Sequence, residues 1–585
     1  MRSFLKFFAA ALLALIVFTG VIFFIFFIIG TSLASSSKKT VSERSVLVLD
    51  LTRTFNDRKQ DNTLSLLSGD GDMLQVSLYD LVSLINHAKN DSSIKGIYIK
   101  CNGNANGFAA SEEMRNALLD FKLSKKFIIA YGDVISQKAY YVANVADKIY
   151  CNPKGDLEWK GFASQLFFFK NTLSKLEIEP QIFYDGKFKS ATEPLREEKM
   201  TEANRLQTTV WLGDLYKDLL LNTSAARNID TATLHQYANA YAIKSPADAV
   251  KYNLIDAVKY DDEVKEELKQ KSGASSTADI NFITISDYSE ATNLKKYASN
   301  RIAVVYAEGD IVDGKGQDGQ VGSDEFRTVL ARIRNDKNIK ALVLRVNSPG
   351  GSALASEIIW RETQLVRNEG KPVIVSMGDL AASGGYYISC GADSIFAQPN
   401  TLTGSIGVFG IIPNLQNFFK NKLGVTFDQV KTADHADIGT ISRPLSAPEK
   451  MIIQSQVDSI YTTFKTRVVD GRKKETIFID SIAQGRVWTG NWAKELGLVD
   501  KIGGLQDAID CAAGMAKLTD YSIREYPEAK SLLDILKNNY SKTIKAKALK
   551  EELGNEEFLL YQQIKRIRDL TGTIQTKLPY DIIVE

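Results

Sequence analysis

One stretch of the sequence is built for nucleophilic chemistry: Ala381-Ala382-Ser383-Gly384-Gly385-Tyr386. It follows a strand-like run and reads as the start of a helix. Small residues flank Ser383 and keep its hydroxyl accessible, and the N–H groups that follow, beginning with Gly384, can stabilise an oxyanion. A second glycine-rich turn, Asn347-Ser348-Pro349-Gly350-Gly351, also follows a strand-like run. Glycine permits close backbone approach and positive φ, so N–H groups of Gly350 and Gly351 can face a cavity. Taken alone, Ser-Gly-Gly fits a serine capping a helix in a glycine-rich turn better than it fits a nucleophile.

A serine nucleophile needs a base. The chain has only three histidines: His87 on an amphipathic helix pattern, His235 in a polar one, and His435 in a loop. None sits in a motif that suggests a triad. A lysine can serve when neutral; from its reference pKa, working near pH 7.5 takes a shift of about three units, roughly 4 kcal/mol. Burial away from anions, with neutral hydroxyls as partners, can supply it. One candidate segment is Asp185-Gly186-Lys187-Phe188-Lys189-Ser190-Ala191-Thr192-Glu193-Pro194, where Lys189 follows a strand-like run and precedes small residues. Among 72 Lys and Arg residues, composition alone does not choose it.

The elements that must position these residues form an internal repeat. Short β-branched runs alternate with helices whose apolar residues recur every three or four positions. The order around SVLVLDL, KGIYIKCNGN and KFIIAYGD in the first half returns around IAVVY, KALVLRVNSPGG and KPVIVSMGD in the second. Gly132-Asp133 matches Gly378-Asp379, Tyr140-Tyr141 matches Tyr386-Tyr387, and Asn102 matches Asn347. Two long helix patterns, from Thr201 and from Ser446, repeat as well. The reading is a tandem duplication of an α/β unit with parallel βαβ crossovers. A dinucleotide-binding fold lacks its GxGxxG after a first strand in either copy. The expected divisions are residues 1–45 (anchor and short linker), 46–287, 288–525, and a charged, helical tail at 526–585, with residues 272–287 as the polar linker between copies. The copies differ where chemistry is expected: Gln137 stands opposite Ser383, and the segment matching Lys189 falls near His435. One site per chain is therefore expected where the two copies meet, completed within a single protomer, with pairing across neighbouring protomers as the alternative.

Residues 7–29 form an apolar run broken only by Thr19 and Gly20. At about 1.5 Å per residue it spans a hydrocarbon core of about 30 Å. It is longer than the apolar region of a cleavable signal, so an uncleaved single-pass anchor is the expectation; Ser32-Leu33-Ala34 leaves a cleaved signal as the alternative. The 72 basic and 70 acidic residues nearly cancel, to +2, which gives no electrostatic case for nucleic-acid binding. The four cysteines, Cys101, Cys151, Cys390 and Cys511, are far apart, and no CxxC or HExxH supports zinc. Buried free thiols are expected.

Several motifs together carry a family resemblance: Phe188-Lys189-Ser190-Ala191-Thr192-Glu193-Pro194, Val346-Asn347-Ser348-Pro349-Gly350-Gly351, the segment around Ser383, Thr401-Leu402-Thr403-Gly404-Ser405-Ile406-Gly407, and Gly485-Arg486-Val487-Trp488-Thr489-Gly490. Over nearly its whole length the chain resembles signal peptide peptidase A in its long, duplicated form, the protease IV type. The resemblance implies tandem Clp-protease/crotonase-like α/β domains behind one transmembrane helix. It implies Ser383 as nucleophile, Lys189 as general base, Ser405 as the hydroxyl that orients the lysine, and no cofactor or metal. By analogy of position, Gly384 with Gly350 or Gly351 would hold the oxyanion. It further implies signal peptides and other apolar peptides as substrates and a homo-oligomer, tetrameric in the family. The location it implies is the inner membrane, with the catalytic body on the periplasmic side. A crotonase-like acyl-CoA enzyme and a catalytically inactive scaffold of the same fold are the alternatives.

Overall fold

The computed structural model describes residues 2–34, 40–59, 76–292, 294, 296–528 and 574–578. The expected repeat is visible as two sheets that share a run of six parallel strands in the same order; the second also carries Leu402–Gly404 and, antiparallel to it, Val487–Thr489. In the first, Ala257–Val258, Lys148–Leu157, Phe127–Ile135, Ile94–Lys100, Ser45–Asp50 and Phe282–Thr284 lie side by side, all parallel. In the second, the same succession is Lys501–Ile502, Ser394–Ala397, Val373–Ala382, Ile339–Ser348, Arg301–Glu308 and Ser522–Tyr526. The central strands are β-branched and buried on both faces, as parallel strands covered by crossover helices must be.

The helices follow from the apolar spacing. Leu78–Asn90, capped by the Ser77 side chain, buries Leu78, Leu81, Leu84, Ile85 and Ala88. Ser323–Asn335, in the matching place, buries Phe326, Val329, Leu330 and Ile333. The copies also share hydrogen bonds that fix loops to the core. Tyr140 Oη donates to Leu254 O at 2.6 Å, and Tyr386 Oη to Leu498 O at 2.9 Å. Lys126 Nζ donates to the carbonyls of Ala88 and Asp91, and Lys371 Nζ to those of Ile333 and Asp336. Half-buried lysines that satisfy otherwise unpaired helix-end carbonyls are a reason for such positions to persist through a duplication.

Residues 272–287 are not a plain linker. Phe282–Thr284 completes the first sheet beside Ser45–Asp50, and Ile285–Thr292 is a helix with Ile285 and Tyr288 buried. The apolar residues inside this polar segment decide its structure.

A third sheet joins the halves, in the order Gln320–Gly322, Asp310–Val312, Gly350–Ser352, Ile574–Lys577, Val408–Asn414, Glu179–Asp185. Its last pair is antiparallel over seven residues, from Val408 opposite Asp185 to Asn414 opposite Glu179. The expected glycine turn at Gly350-Gly351 is thus a short strand. Gly351 sits so close to the Ile311 backbone that a Cβ would collide with it.

A buried ionic cluster also ties the halves together. Arg345, on a central strand of the second sheet, reaches Asp57 and Glu113 of the first half, both at 2.7 Å. Asp379 accepts from the N–H groups of Ala109 and Ala110 at the start of helix Phe108–Lys122. Two carboxylates share one buried guanidinium here, with Asp379 held on the helix N–H groups instead, and burial holds the Glu113 and Asp379 carboxyls above their usual range.

At the N-terminus, Arg2–Ala34 is a continuous helix of 33 residues. Its side chains are described over part of residues 4–24, where Phe7, Leu13, Leu15, Phe18 and Phe24 are exposed. The rest of the anticipated span, beyond Phe24, lies outside the residues whose side chains are described. Among the described residues no helix is long and apolar enough to cross a membrane. Of the anticipated helical tail, only Ser522–Tyr526 just before it and the strand Ile574–Lys577 within it are described as regular structure; residues 529–573 lie outside the described residues. All four cysteines are free, with Cys101, Cys151 and Cys390 buried, and burial pushes the Cys151 and Cys390 thiols up to about 12.

Candidate active site

Ser383 ends the strand Val373–Ala382 and precedes the helix Gly384–Ser389. Its backbone is forced to φ 55°, ψ −112°, an unfavourable conformation for a residue with a side chain. The strain is held by the Ser383 N–H, which donates to Gly404 O at 2.8 Å, and by the Tyr387 N–H, which donates to Ser383 O at 2.8 Å. The strand Gly350–Ser352 runs alongside. Gly350 has φ 96°, and a Cβ there would stand 2.6 Å from Gly384 N. A side chain at Gly350 would fill the space between these two backbones. Gly350 N–H itself donates to Ser348 Oγ at 3.1 Å. Gly384 N, first in its helix and without an intrahelical acceptor, borders this space.

Lys189 arrives from the other half of the chain. The strand Glu179–Asp185 is clamped to Val408–Asn414, and the chain then turns so that Lys189 enters the second half. Phe188 N–H donates to Gln484 O at 2.7 Å, and Gly485 N–H to Ile406 O at 2.8 Å. Gly485 has φ 72°, and a Cβ on it would stand 2.7 Å from Lys189 N and Cβ; one on Gly407 would stand 3.1 Å from Lys189 Cδ. Only glycine lets these segments close around the lysine stem. From helix Glu202–Arg227, Gln207 Nε2 donates to Phe188 O (3.1 Å) and Ser190 Oγ (2.9 Å), while its Oε1 accepts from Val487 N. Buried Glu193 accepts from Thr201 and Asn204 and fixes the turn after the lysine.

The structure brings Lys189, Ser383 and Ser405 together within one chain, although 194 residues separate the first two. Lys189 Nζ lies 2.9 Å from Ser383 Oγ, 3.2 Å from Ser405 Oγ and 3.3 Å from Ser405 O. Relative exposures are 1% for Lys189 and 0% for both serines. Burial alone drives the Lys189 amine well below its ordinary 10.5; no carboxylate contributes. The nearest ring, Phe409, has its centroid 5.9 Å away. A neutral amine keeps a lone pair, so the group in contact with Ser383 Oγ can accept its proton.

None of the histidines joins them. His87 packs against Tyr288, His235 contacts Tyr216 and Asn239, and His435 faces Glu449. Opposite Ser383, Gln137 of the first copy accepts the N–H groups of Lys160 and Gly161. The sequence reading missed Gln207 and the clamping strand Val408–Asn414. Gln207 lies on a helix face like many polar residues, and nothing local marks it; Gly485 and Gly407 lay within quoted motifs without an assigned role. Among the described residues no group of three or more His, Cys, Asp or Glu could hold a metal ion.

Two segments of the chain, residues 120–275 and 366–519, match peptidase family S49, one in each half and together more than half of the sequence. Over 547 residues the chain is 37% identical to Protease 4 of Salmonella typhi, covering 90% of this chain and 88% of that protein. It is 36% identical to Protease 4 of Haemophilus influenzae, over 85% and 83% of the two chains. It is 32% identical to the chloroplastic serine protease SPPA of Arabidopsis thaliana, over 74% and 64%.

Proposed function

Because the chain belongs to peptidase family S49 and is a serine peptidase, we propose that it cleaves peptide bonds with Ser383 as nucleophile and Lys189 as general base. The observation that carries this reading is the 2.9 Å approach of a buried, anion-free lysine amine to the Ser383 hydroxyl. Ser383 Oγ attacks the scissile carbonyl while Lys189 Nζ takes its proton. The oxyanion forms beside Gly384 N–H and the Gly350-Gly351 strand. The ammonium returns the proton to the leaving amine, which departs and leaves an acyl-enzyme. Lys189, neutral again, draws a proton from water as it attacks the ester, and returns it to Ser383 on collapse. Ser405, through its hydroxyl and carbonyl oxygens, aims Nζ.

The substrates we propose are apolar peptides, signal peptides among them, reached from a membrane anchor. Supporting the anchor are the apolar residues 7–29 and the exposed phenylalanine and leucine side chains of the N-terminal helix. A body on the periplasmic side of the inner membrane and assembly into a homo-oligomer belong to the same proposal.

Labelling with a fluorophosphonate tests the site. An adduct on Ser383 is expected, forming faster as pH rises and lost in Ser383→Ala and Lys189→Ala. An adduct elsewhere, or none, sinks the assignment. Peptide-library cleavage by the detergent-solubilised chain tests the substrate class, and a preference for charged residues at the cut counts against it.

A further inference from the structure

A largely buried carboxyl pair sits at the seam between the two halves of the chain. Tyr141, on helix Gln137–Ala143, is 1% exposed. Its Oη is in hydrogen-bond contact with Glu112 Oε2 of helix Phe108–Lys122, and with Asp218 Oδ2 of helix Glu202–Arg227 at 2.6 Å. A phenol has one hydrogen and donates it to one acceptor. Asp218 is the better supported acceptor, since Asn400 Nδ2 of the second half donates to the same Oδ2 at 2.7 Å and Asn222 Nδ2 to Oδ1 at 3.1 Å. Glu112 is buried too and is left facing the phenol oxygen, a contact that is favourable only if Glu112 carries a proton and donates it.

The charges beside the pair agree. Arg115 lies 5.5 Å from the Tyr141 ring centroid and donates to Tyr141 O at 2.9 Å and to the Asn144 side chain. Its one guanidinium balances one carboxylate, not two. Burial, and then the Asp218 charge, outweigh Arg115 and the Asn116 side chain and hold the Glu112 carboxyl up at about 7. The second copy is built differently at the matching place. Tyr387 donates to Glu357 at 2.5 Å, and Arg467 pairs with Glu357 at 2.6 Å. In the register that matches Thr201 to Ser446, Arg467 stands opposite Asn222 and Thr463 opposite Asp218. Where the second copy uses a cation, the first uses a proton.

Helix Glu202–Arg227 connects this joint to the dyad. Trp211 and Leu215 pack with Ala382, Leu402 and Val487, and Asp214 accepts from Thr489 Oγ1 at 2.9 Å. Gln207, about 16 Å along the helix from Asp218, holds the turn of Lys189. Asn400 leads into the strand Leu402–Gly404, which delivers Ser405. We propose that Glu112, Tyr141 and Asp218 are positioning residues: one shared proton holds helix Glu202–Arg227 against the second half, and its loss as pH rises loosens the seat of Lys189. The effect on catalysis rests on the reading of Lys189 as the base. In the folded chain Glu112 keeps a proton that the unfolded chain releases above its ordinary 4.5. The joint is therefore closed at low pH and loses stability as pH rises through about 7.

Infrared difference spectra of the detergent-solubilised Ser383→Ala chain, between pH 6 and pH 8.5, test the proton itself. Other raised carboxyls contribute, Glu308 among them, so the signal is the part that Glu112→Gln removes. Asp218→Asn should move its midpoint to lower pH, because a neighbouring charge is gone. Hydrogen exchange in residues 207–222 and 398–405 should match between the Ser383→Ala chain and its Glu112→Gln variant at pH 6, and run about tenfold faster in the former at pH 8.5. With Ser383 present, the ratio of the parent's kcat to that of Glu112→Gln cancels the titration of Lys189. It should stay near one at pH 6 and fall about threefold by pH 8.5. No Glu112-dependent signal, or exchange that does not diverge with pH, overturns the proposal. So does a flat kcat ratio, since the joint would not reach the dyad. Diverging exchange with no Ser383-dependent hydrolysis at any pH upholds the joint and refutes the peptidase reading instead.

Discussion

Removing the Ser405 hydroxyl isolates one interaction of the lysine. Nζ has three oxygen neighbours in a site closed to solvent: Ser383 Oγ at 2.9 Å, Ser405 Oγ at 3.2 Å and Ser405 O at 3.3 Å. Ser405→Ala deletes only the second. The backbone carbonyl remains, so Nζ keeps an anchor on the same residue. Ser405 already sits at φ 50°, held by its N–H to Arg486 O at 2.7 Å, and alanine adopts that backbone at much the same cost. One neutral hydrogen bond at a buried site is worth about 1–2 kcal/mol, or about 5- to 30-fold in rate. The loss should fall on kcat, because Ser405 touches the base and not the substrate. Hydroxyl and carbonyl oxygens support an ammonium more than an amine, so deleting one acceptor should move the acidic limb of the pH–rate profile to lower pH, by less than about one unit. Hydrolysis of a peptide ester from pH 5 to 10, with thermal unfolding followed in parallel, measures both effects. A variant that matches the parent in kcat and in its acidic limb would reduce Ser405 to packing and refute the reasoning.

Three further outcomes follow from the same geometry. Peptidase activity should rise with pH as Lys189 loses its proton, with the limb well below 10.5, and should be lost as pH falls through that limb; a limb near 10.5 would mean that the amine is not held neutral. Lys189→Met should abolish activity yet raise stability at pH 7. The sign follows from linkage: a lysine lowered in the folded state leaves the unfolded chain binding the extra proton, so stability falls as pH drops from 10.5 toward the folded pKa, and methionine removes that slope; urea unfolding at pH 7 and pH 10 checks it. Gly485→Ala should cost about 2–3 kcal/mol and at least tenfold in kcat, because its Cβ would meet the Lys189 backbone at 2.7 Å at a left-handed position; an unaltered melting curve and rate would show that the segments are not held that closely.

What local chemistry encodes was legible in the sequence. Apolar residues spaced three or four apart placed helices such as Leu78–Asn90 and Ser323–Asn335, and β-branched runs placed the strands of both sheets. The offset between Tyr140 and Tyr386 exposed the duplication, and the small residues around Ser383 marked a serine with room to react. Lys189 was singled out by family likeness, since one lysine on a short turn looks like any other. Tertiary structure alone decided what makes it a candidate base. Glu179–Asp185 belongs to the first half by position but pairs with Val408–Asn414, a choice made by distant strand edges. Gln207, an ordinary helix residue in sequence, braces the lysine turn because helix Glu202–Arg227 packs there. The Gly350-Gly351 segment read as a turn and is a strand, because its partners come from Asp310–Val312 and Ile574–Lys577. The burial that lowers the lysine pKa exists only once both halves close around it, since desolvation is a property of the assembled interior and not of any stretch of chain.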